Sequence, residues 1–324
     1  MSVKVFLREN PATKGIYSYL KTQKDRRVAE NKFVYHGQFA DRSRGRDKLC
    51  IVLAGYKAFL YDDVFGRIIA NIEEDIDVCV VSSGLHSDRL AALCEKNGWS
   101  YLSTKENNVG LVQNVAIKKH PNAKLIYKLD EDIFITKGYF SKMMAAYQHA
   151  QKGDYRPGVI APLLLVNGYA SLRILEKEKK RDEFERRFGK IRYVAGSDQA
   201  IECNPETARF MWGEGGIISS LDELNDKYAL EEQVEYPCPI RFSIGAILFS
   251  RDLWEEMEYF DVDRNAKSMM GKDERKLCAF CCLNSYPIMV SENIVAGHFS
   301  FGAQTAGMKE FYRDHPERFR LKEA

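Results

Sequence analysis

Long apolar runs are missing from this 324-residue sequence. No window approaches the ~20 uninterrupted apolar residues that a bilayer span needs, so no transmembrane segment is expected. A surplus of charge of one sign is missing too: 48 Lys and Arg stand against 46 Asp and Glu, a formal +2. Proteins that coat nucleic acid or lie flat on membranes carry a broad field of one sign. No nucleic-acid partner is therefore expected, peripheral membrane contact stays open, and any partner is recognised locally. The opening MSVKVFLREN lacks the basic region, apolar core and small-residue cleavage site of a secretory signal. The expected location is cytoplasmic. The eight cysteines show no regular spacing: Cys50 and Cys79 lie in apolar runs, and Cys94, Cys278, Cys281 and Cys282 in helix-like segments. That pattern suits reduced thiols rather than a disulfide framework. The one CxxC, at Cys278 and Cys281, lacks the second pair or the histidines of a zinc site. Repeats and low-complexity segments are absent.

What is present is enough apolar material, 45% of residues, to fill the core of one large α/β domain or about two smaller ones. Residues 1–48 are polar, hold the charge run DRSRGRDK and show no sustained period, and they read as an N-terminal extension. From Lys48 short apolar runs alternate with helix-length segments. LCIVLA precedes Ala58 to Asn71; DVCVVSS precedes Ser87 to Asn97; WSYLS precedes Val109 to Lys119; AKLIYKLD precedes Lys137 to Gln151. Four such alternations predict right-handed βαβ crossovers and a mostly parallel sheet covered by helices on both faces. Ligands of such sheets gather at the carboxyl ends of the strands. Beyond, VIAPLLLV reads as a further strand and LEKEKKRDEFERRFGK as a solvated helix or a lid. Tyr193 to Glu235 reads as loop-rich, with Trp212 and the glycines around it as a mobile cover. CPIRFSIGAILFSRDLWEEM, GKDERKLCAFCCL and NIVAGHFSFG restore order as strand plus helix, helix, and final strand or turn. Residues 303–324 form a C-terminal tail.

The strongest chemical signal is LIYKLDEDIFI, an apolar strand that ends in Asp130, Glu131 and Asp132. Adjacent carboxylates repel, and an apolar setting tolerates them only where solvent, hydrogen-bond donors or a cation compensates. Alternate strand residues share a face, so Asp130 and Asp132 point together, as a hard ion such as Mg²⁺ or Mn²⁺ and its phosphate co-ligands require. An acidic turn after a buried strand reads equally from the triplet alone. Upstream, ENNVGLVQNVAI puts Asn107, Asn108 and Gly110 ahead of a helix carrying Gln113 and Asn114. Their amides could meet a base or ribose, or could simply cap and pack a helix. Downstream, Gly245 and Ala246 would let backbone approach a ligand, or would serve helix–strand packing. Asp273 and Glu274 begin a helix, where the dipole favours a carboxylate that could act as general base, though first-turn acids are also ordinary. His298, among small and aromatic residues, could complete a metal site with Asp132, or be a satisfied core histidine.

Taken in order, these pieces resemble the nucleotide-sugar-dependent glycosyltransferases of the GT-A fold, especially inverting family 2. IVLAGYKAFLYDDVFGRIIANI looks like the family's opening strand and helix, NVGLVQNVAI like its Asn-Gly segment, LDED like its Asp-x-Asp, SIGAILFSRDLWEEMEYFD like its acceptor-side segment, and GKD like its Gly-Glu-Asp. The resemblance runs from about Leu49 to Gly302, interrupted from Asn167 to Glu235. It implies a nucleotide-sugar half over 49–155 and an acceptor and catalytic half over 156–302 with a loop-rich insertion.

Carried over, it puts Ala54, Tyr56, Ser82, Asn108, Gly110, Asn114, Asp130 and Glu131 about the nucleotide sugar. Gly245, Ala246 and Trp212 fall beside the acceptor or donor sugar, and Asp132 and His298 on the metal. Asp273 becomes the catalytic base, with Glu274 as the alternative. The implied activity is metal-dependent, inverting transfer from a nucleoside diphosphate sugar to a glycan or other hydroxyl acceptor, in synthesis of bacterial-type surface glycans or polysaccharides. Three features depart from the family: Ser82 and Ser83 stand where an acid often reads uracil, Lys57 replaces an Asn after Tyr56, and Lys272 replaces a Glu before Asp273. Two other readings compete. A carbohydrate-binding relative could keep the fold without turnover. A haloacid-dehalogenase-like phosphatase would share Asp-x-Asp, but Phe134 stands where it wants Thr or Val, and GKDERK does not supply its later acidic motif.

Overall fold

The computed structural model describes residues 31–262 and 271–321, together with Ser18 and Tyr19. The sequence alternation becomes β2 (Lys48–Leu53), α1 (Tyr61–Asn71), β3 (Ile76–Ser83), α2 (Asp88–Asn97), β4 (Ser100–Thr104), α3 (Val109–Lys119), β5 (Leu125–Asp130) and α4 (Tyr139–Ala150), preceded by β1 (Gly37–Ala40). Local chemistry sets the boundaries. The Ser87 side chain accepts from Leu90 N–H at the start of α2, and Gly98 ends that helix at φ 66°. The Asn108 side chain accepts from Leu111 N–H at 2.9 Å at the start of α3.

The second half adds β6 (Ile133–Phe134), β7 (Val159–Leu164), α5 (Ala170–Lys177), α6 (Arg181–Phe188), α7 (Ala200–Cys203), α8 (Pro205–Met211) and α9 (Leu221–Tyr228). After these come β8 (Glu235–Pro237), β9 (Ala246–Ser250), α10 (Arg251–Glu256), α11 (Lys272–Leu283), β10 (Ile288–His298) and α12 (Thr305–Asp314). One sheet runs β1-β4-β3-β2-β5-β9-β7-β10-β6, with β8 also on β10. Strands β4, β3, β2 and β5 are mutually parallel, as are β7 and β10. β9 lies antiparallel between β5 and β7. Every residue of β3 and β7 is buried, as a sheet covered on both faces requires. The chain is thus a mixed α/β protein with a largely parallel central sheet flanked by helices.

Three boundaries differ from the sequence reading. The sheet begins inside the stretch read as an extension, because β1 pairs antiparallel with β4, Gly37 opposite Thr104. A Cβ at Gly37 would overlap the Ser103 carbonyl. The stretch from Tyr193 to Glu235 holds three short helices and a buried Trp212 rather than a loop-rich cover. Within the segment read as a C-terminal tail, the described residues 303–321 pack on the body, with Met308, Phe311 and Phe319 buried. The charged stretch forms α5 and α6, whose outer face carries i,i+4 pairs such as Arg181–Glu185 at 3.1 Å, while Phe184 is buried. All eight cysteines are free thiols. Among the described residues no helix is long and apolar enough to cross a membrane.

Candidate functional site

From β2 the chain runs to β3 and β4 on one side, then to β5 on the other. The strand order therefore reverses between β2 and β5, where an α/β sheet opens a crevice at its carboxyl edge. Leu53 pairs with Asp130 across that switch point, so two loops meet there: Ala54 to Lys57 after β2, and Asp130 to Asp132 after β5. Each carboxylate of the acidic tip is compensated differently. Asp130 Oδ1 lies 2.6 Å from Lys128 Nζ, an almost fully buried ammonium that also donates to Ile244 O at 2.8 Å. Glu131 turns back and accepts from the backbone N–H groups of Gly55 at 2.8 Å and Tyr56 at 3.0 Å, tying the two loops together. Asp132 Oδ2 pairs with Lys57 Nζ and lies 3.5 Å from His298 Nε2.

The charges follow from these partners. Burial and the neighbouring Asp132 charge outweigh Lys128 and push Asp130 up to about 6. Burial would raise Asp132 as well, but the Lys57 ammonium and His298 hold its carboxyl well below the usual range. Burial works to lower His298 and Lys57, and in both the Asp132 charge overcomes it and raises the pKa.

His298 arrives by sheet pairing. The end of β10 pairs antiparallel with β6, His298 opposite Ile133 and Gly297 opposite Phe134, and Phe299 N–H donates to Asp132 O at 2.9 Å. His298 Nδ1 donates to Val166 O at 2.8 Å; a carbonyl only accepts, so Nε2 is the nitrogen left facing Asp132, carrying a proton in the charged form that Asp132 favours and a lone pair in the neutral form. Trp212 supports this turn from behind. Its Nε1 donates to His298 O at 3.0 Å, and its ring packs on Phe319 and Phe134. Trp212 is therefore a buried brace of the histidine strand, a correction to its reading as a sugar contact. A Cβ at Gly297 would fall 2.8 Å from Trp212 Cζ2. Gly297→Ala is expected to destabilise the protein by ~1–3 kcal/mol, the usual scale of overpacking. Urea denaturation read by tryptophan fluorescence checks this; an unchanged midpoint would show that the ring yields.

On the other side of Asp130, Gly245 O accepts from Asp130 N at 2.8 Å, and a Cβ there would sit 3.4 Å from Asp130 Oδ2. Gly245 is thus at the cleft, whereas Ala246 is fully buried in β9 opposite Leu129. Asp273, in the first turn of α11, accepts from Gln113 Nε2 at 2.9 Å and is nearly buried. Glu274 is bound to Arg241 at 3.0 Å and accepts weakly from Ile244 N–H at 3.4 Å. Burial, helped by Asp273 and opposed by Arg241 and Lys128, pushes Glu274 up to about 6.

The remaining sequence candidates separate. Tyr56 is 61% exposed and its hydroxyl donates to Ser83 O at 2.6 Å, pinning the ring over the carboxyl edge of β3. Ala54 is buried at the start of the same loop, its N–H on Val81 O. Asn108 is a helix cap whose N–H donates to Ser83 Oγ at 2.6 Å. Three others serve packing. Ser82 is fully buried and accepts from Tyr101 OH at 3.1 Å. A Cβ at Gly110 would overlap Asp261 O. Asn114 is fully buried, with Trp254 Nε1 and Phe260 N–H donating to its Oδ1 at 3.0 Å and its Nδ2 donating to Phe260 O at 2.9 Å. An amide so engaged has nothing left for a base or ribose.

Lys128 and Lys57 went unassigned in the sequence reading. For Lys128 a signal existed: a lysine inside an apolar strand, two residues before Asp130 and hence on its face. A surface hollow of about 610 Å³ lies at the other end of the sheet, among Tyr147, Arg156, Glu256 and Tyr286 near Ser250. It is remote from the acidic tip, because Ser250 pairs with Leu125 at the amino end of β5.

A divalent ion fits the donor chemistry of Asp132 and His298, one hard oxygen and one imidazole nitrogen whose far side is fixed by a carbonyl. Among the described residues no three His, Cys, Asp or Glu side chains converge as a cage, so protein would supply only part of the coordination. Fold and site together define a mixed α/β protein with an acidic, cation-bearing cleft at its switch point. No protein-family model and no curated protein matches the chain. Among solved structures it is similar to a mannosyltransferase from Pyrobaculum calidifontis in complex with GDP-Man and Mn²⁺, at 11% identity, covering 99% of this chain and 76% of that one, with a TM-score of 0.44. A likeness of that size assigns no activity.

Proposed function

We propose that this chain is a glycosyltransferase that moves a sugar from a nucleoside diphosphate donor to an acceptor hydroxyl. The observation that carries the reading is that the Asp132–His298 pair and Asp130 on its buried lysine meet at one switch-point crevice, with Asp273 near enough for its charge to act on Asp130. In this reading Asp132 and His298 hold Mn²⁺ or Mg²⁺, which when bound neutralises charge on the departing diphosphate. Asp130 orients the donor ribose, Tyr56 lies along the nucleotide, and Gly245 leaves room for the sugar. Asp273 takes the acceptor's proton at a carboxylate oxygen, on the face opposite the leaving group, so the anomeric centre inverts.

A panel of nucleotide sugars, assayed for hydrolysis with and without Mn²⁺, tests the reading. One donor should be cleaved in a metal-dependent way, and Asp132→Ala should abolish metal-dependent donor binding measured by calorimetry. Unchanged binding in that variant, or a panel with no donor bound at all, would overturn it.

A further inference from the structure

Lys57 follows Tyr56 in the loop after β2, and its ammonium is bound to Asp132 Oδ2. The same oxygen faces His298 Nε2 at 3.5 Å, so the lysine occupies the oxygen through which a divalent ion would be held. A divalent ion on that oxygen repels the ammonium by more than the ammonium gains from one carboxylate, so the lysine, the more weakly held cation, gives way. The pair is also unequal in mobility. Asp132 is buried and fixed by its carbonyl's bond to Phe299 N–H, whereas the Lys57 side chain keeps 25% of its surface exposed on a flexible four-carbon stem. The lysine can leave; the carboxylate cannot.

We infer that Lys57 is the resident counter-cation of the acidic tip and that a divalent ion takes Asp132 only by exchanging with its ammonium. The inference rests on the reading of Asp132 and His298 as the cation site and deepens it. Exchange has a direction. Moved off Asp132, the ammonium is still tethered beside the Ala54–Tyr56 backbone at the mouth of the cleft, where an incoming diphosphate offers it new acceptors. A metal ion arriving alone displaces the lysine into water. Arriving with a diphosphate, it leaves the lysine a partner. Ion uptake is therefore held back until the anionic substrate is present, a coupling that costs no conformational change of the fold.

The test titrates Mn²⁺ alone into the nucleotide-free full-length protein, with free ion counted by electron paramagnetic resonance. Lys57→Met, with Lys57→Gln alongside as a second neutral variant, is expected to tighten Mn²⁺ binding by at least ~10-fold, the scale of removing a contact charge. Lys57→Arg, which keeps the charge, should stay within ~2-fold of the wild type. Neutral variants that bind Mn²⁺ no better than the wild type would overturn the inference, while loss of wild-type binding in Asp132→Ala would still uphold the cation site. Tight binding in Lys57→Met that survives a second substitution, Asp132→Ala, would place the ion elsewhere and sink both. Absence of Mn²⁺ binding in the wild type and in both neutral variants would show that Lys57 is not what bars the ion.

Discussion

Asp273→Asn is expected to lower transfer to an acceptor hydroxyl by at least ~10²-fold, the usual loss when a general base is removed, while donor binding and the melting temperature stay near those of the wild type. The substitution is close to isosteric. Asn retains a carbonyl oxygen for the Gln113 Nε2 that now donates at 2.9 Å, so the variant keeps its packing and loses only the capacity to take a proton. Glu274, one residue on, is the natural control. A carboxyl pushed up to about 6 is well matched to base catalysis near neutrality, but its oxygens are already committed to Arg241 and to Ile244 N–H. Glu274→Gln should therefore leave most of the rate. Steady-state transfer with saturating donor distinguishes the two. A full rate in Asp273→Asn together with a collapse in Glu274→Gln would move the base by one residue and recast Asp273 as a partner of Gln113.

How much of this was legible in the sequence depends on whether a feature is local. The alternation after Lys48 gives the parallel strands, because a strand buried on both faces is apolar through its middle, as LCIVL and VCVV are. The acidic tip is legible for the same reason: charge that interrupts such a run marks the strand's end. What the tip touches is not local. His298 reaches Asp132 because β10 passes beyond β7 and pairs with two residues of β6, and nothing in AGHFSFG states that pairing. Lys57 stood out only as a departure from a family pattern; that its ammonium lands on Asp132 depends on which two loops the switch point brings together. Asn114 illustrates the converse. Amides serve ligands and helix packing with the same atoms, and only the burial of Trp254 and Phe260 against it decides between them. Trp212 looked mobile because glycines follow it, whereas those glycines stand at positive φ, where the chain turns just after a buried indole. Strand β1 was invisible, four residues without alternation at a sheet edge.

Arg67→Met is expected to destabilise the fold by ~3–5 kcal/mol, the scale of breaking a buried charge pair from one side. Arg67, on α1, is fully buried, and all five of its N–H groups have acceptors. Nε donates to Phe319 O at 3.0 Å; Nη1 to Ile135 O at 3.1 Å and Asp222 Oδ1 at 2.8 Å; Nη2 to Asp222 Oδ2 at 2.9 Å and Arg320 O at 3.0 Å. One planar fork thus joins α1, the segment after β6, the first turn of α9 and the C-terminal residues. Methionine fills much of the volume but leaves three carbonyls and a half-buried carboxylate without their donors. Lysine keeps the charge but cannot span four acceptor groups, so Arg67→Lys should lose nearly as much. Trp212, its ring 4.3 Å from that of Phe319, is one of three buried tryptophans, and urea denaturation followed by tryptophan fluorescence reads the loss. The effect should also reach the site. Ile135 directly follows β6, the strand on which His298 is registered against Ile133, so a loosened Ile135 frees the histidine from Asp132. A variant that lost less than ~1 kcal/mol would mean that water re-satisfies these carbonyls, and that the C-terminal residues are held by Phe319 packing alone.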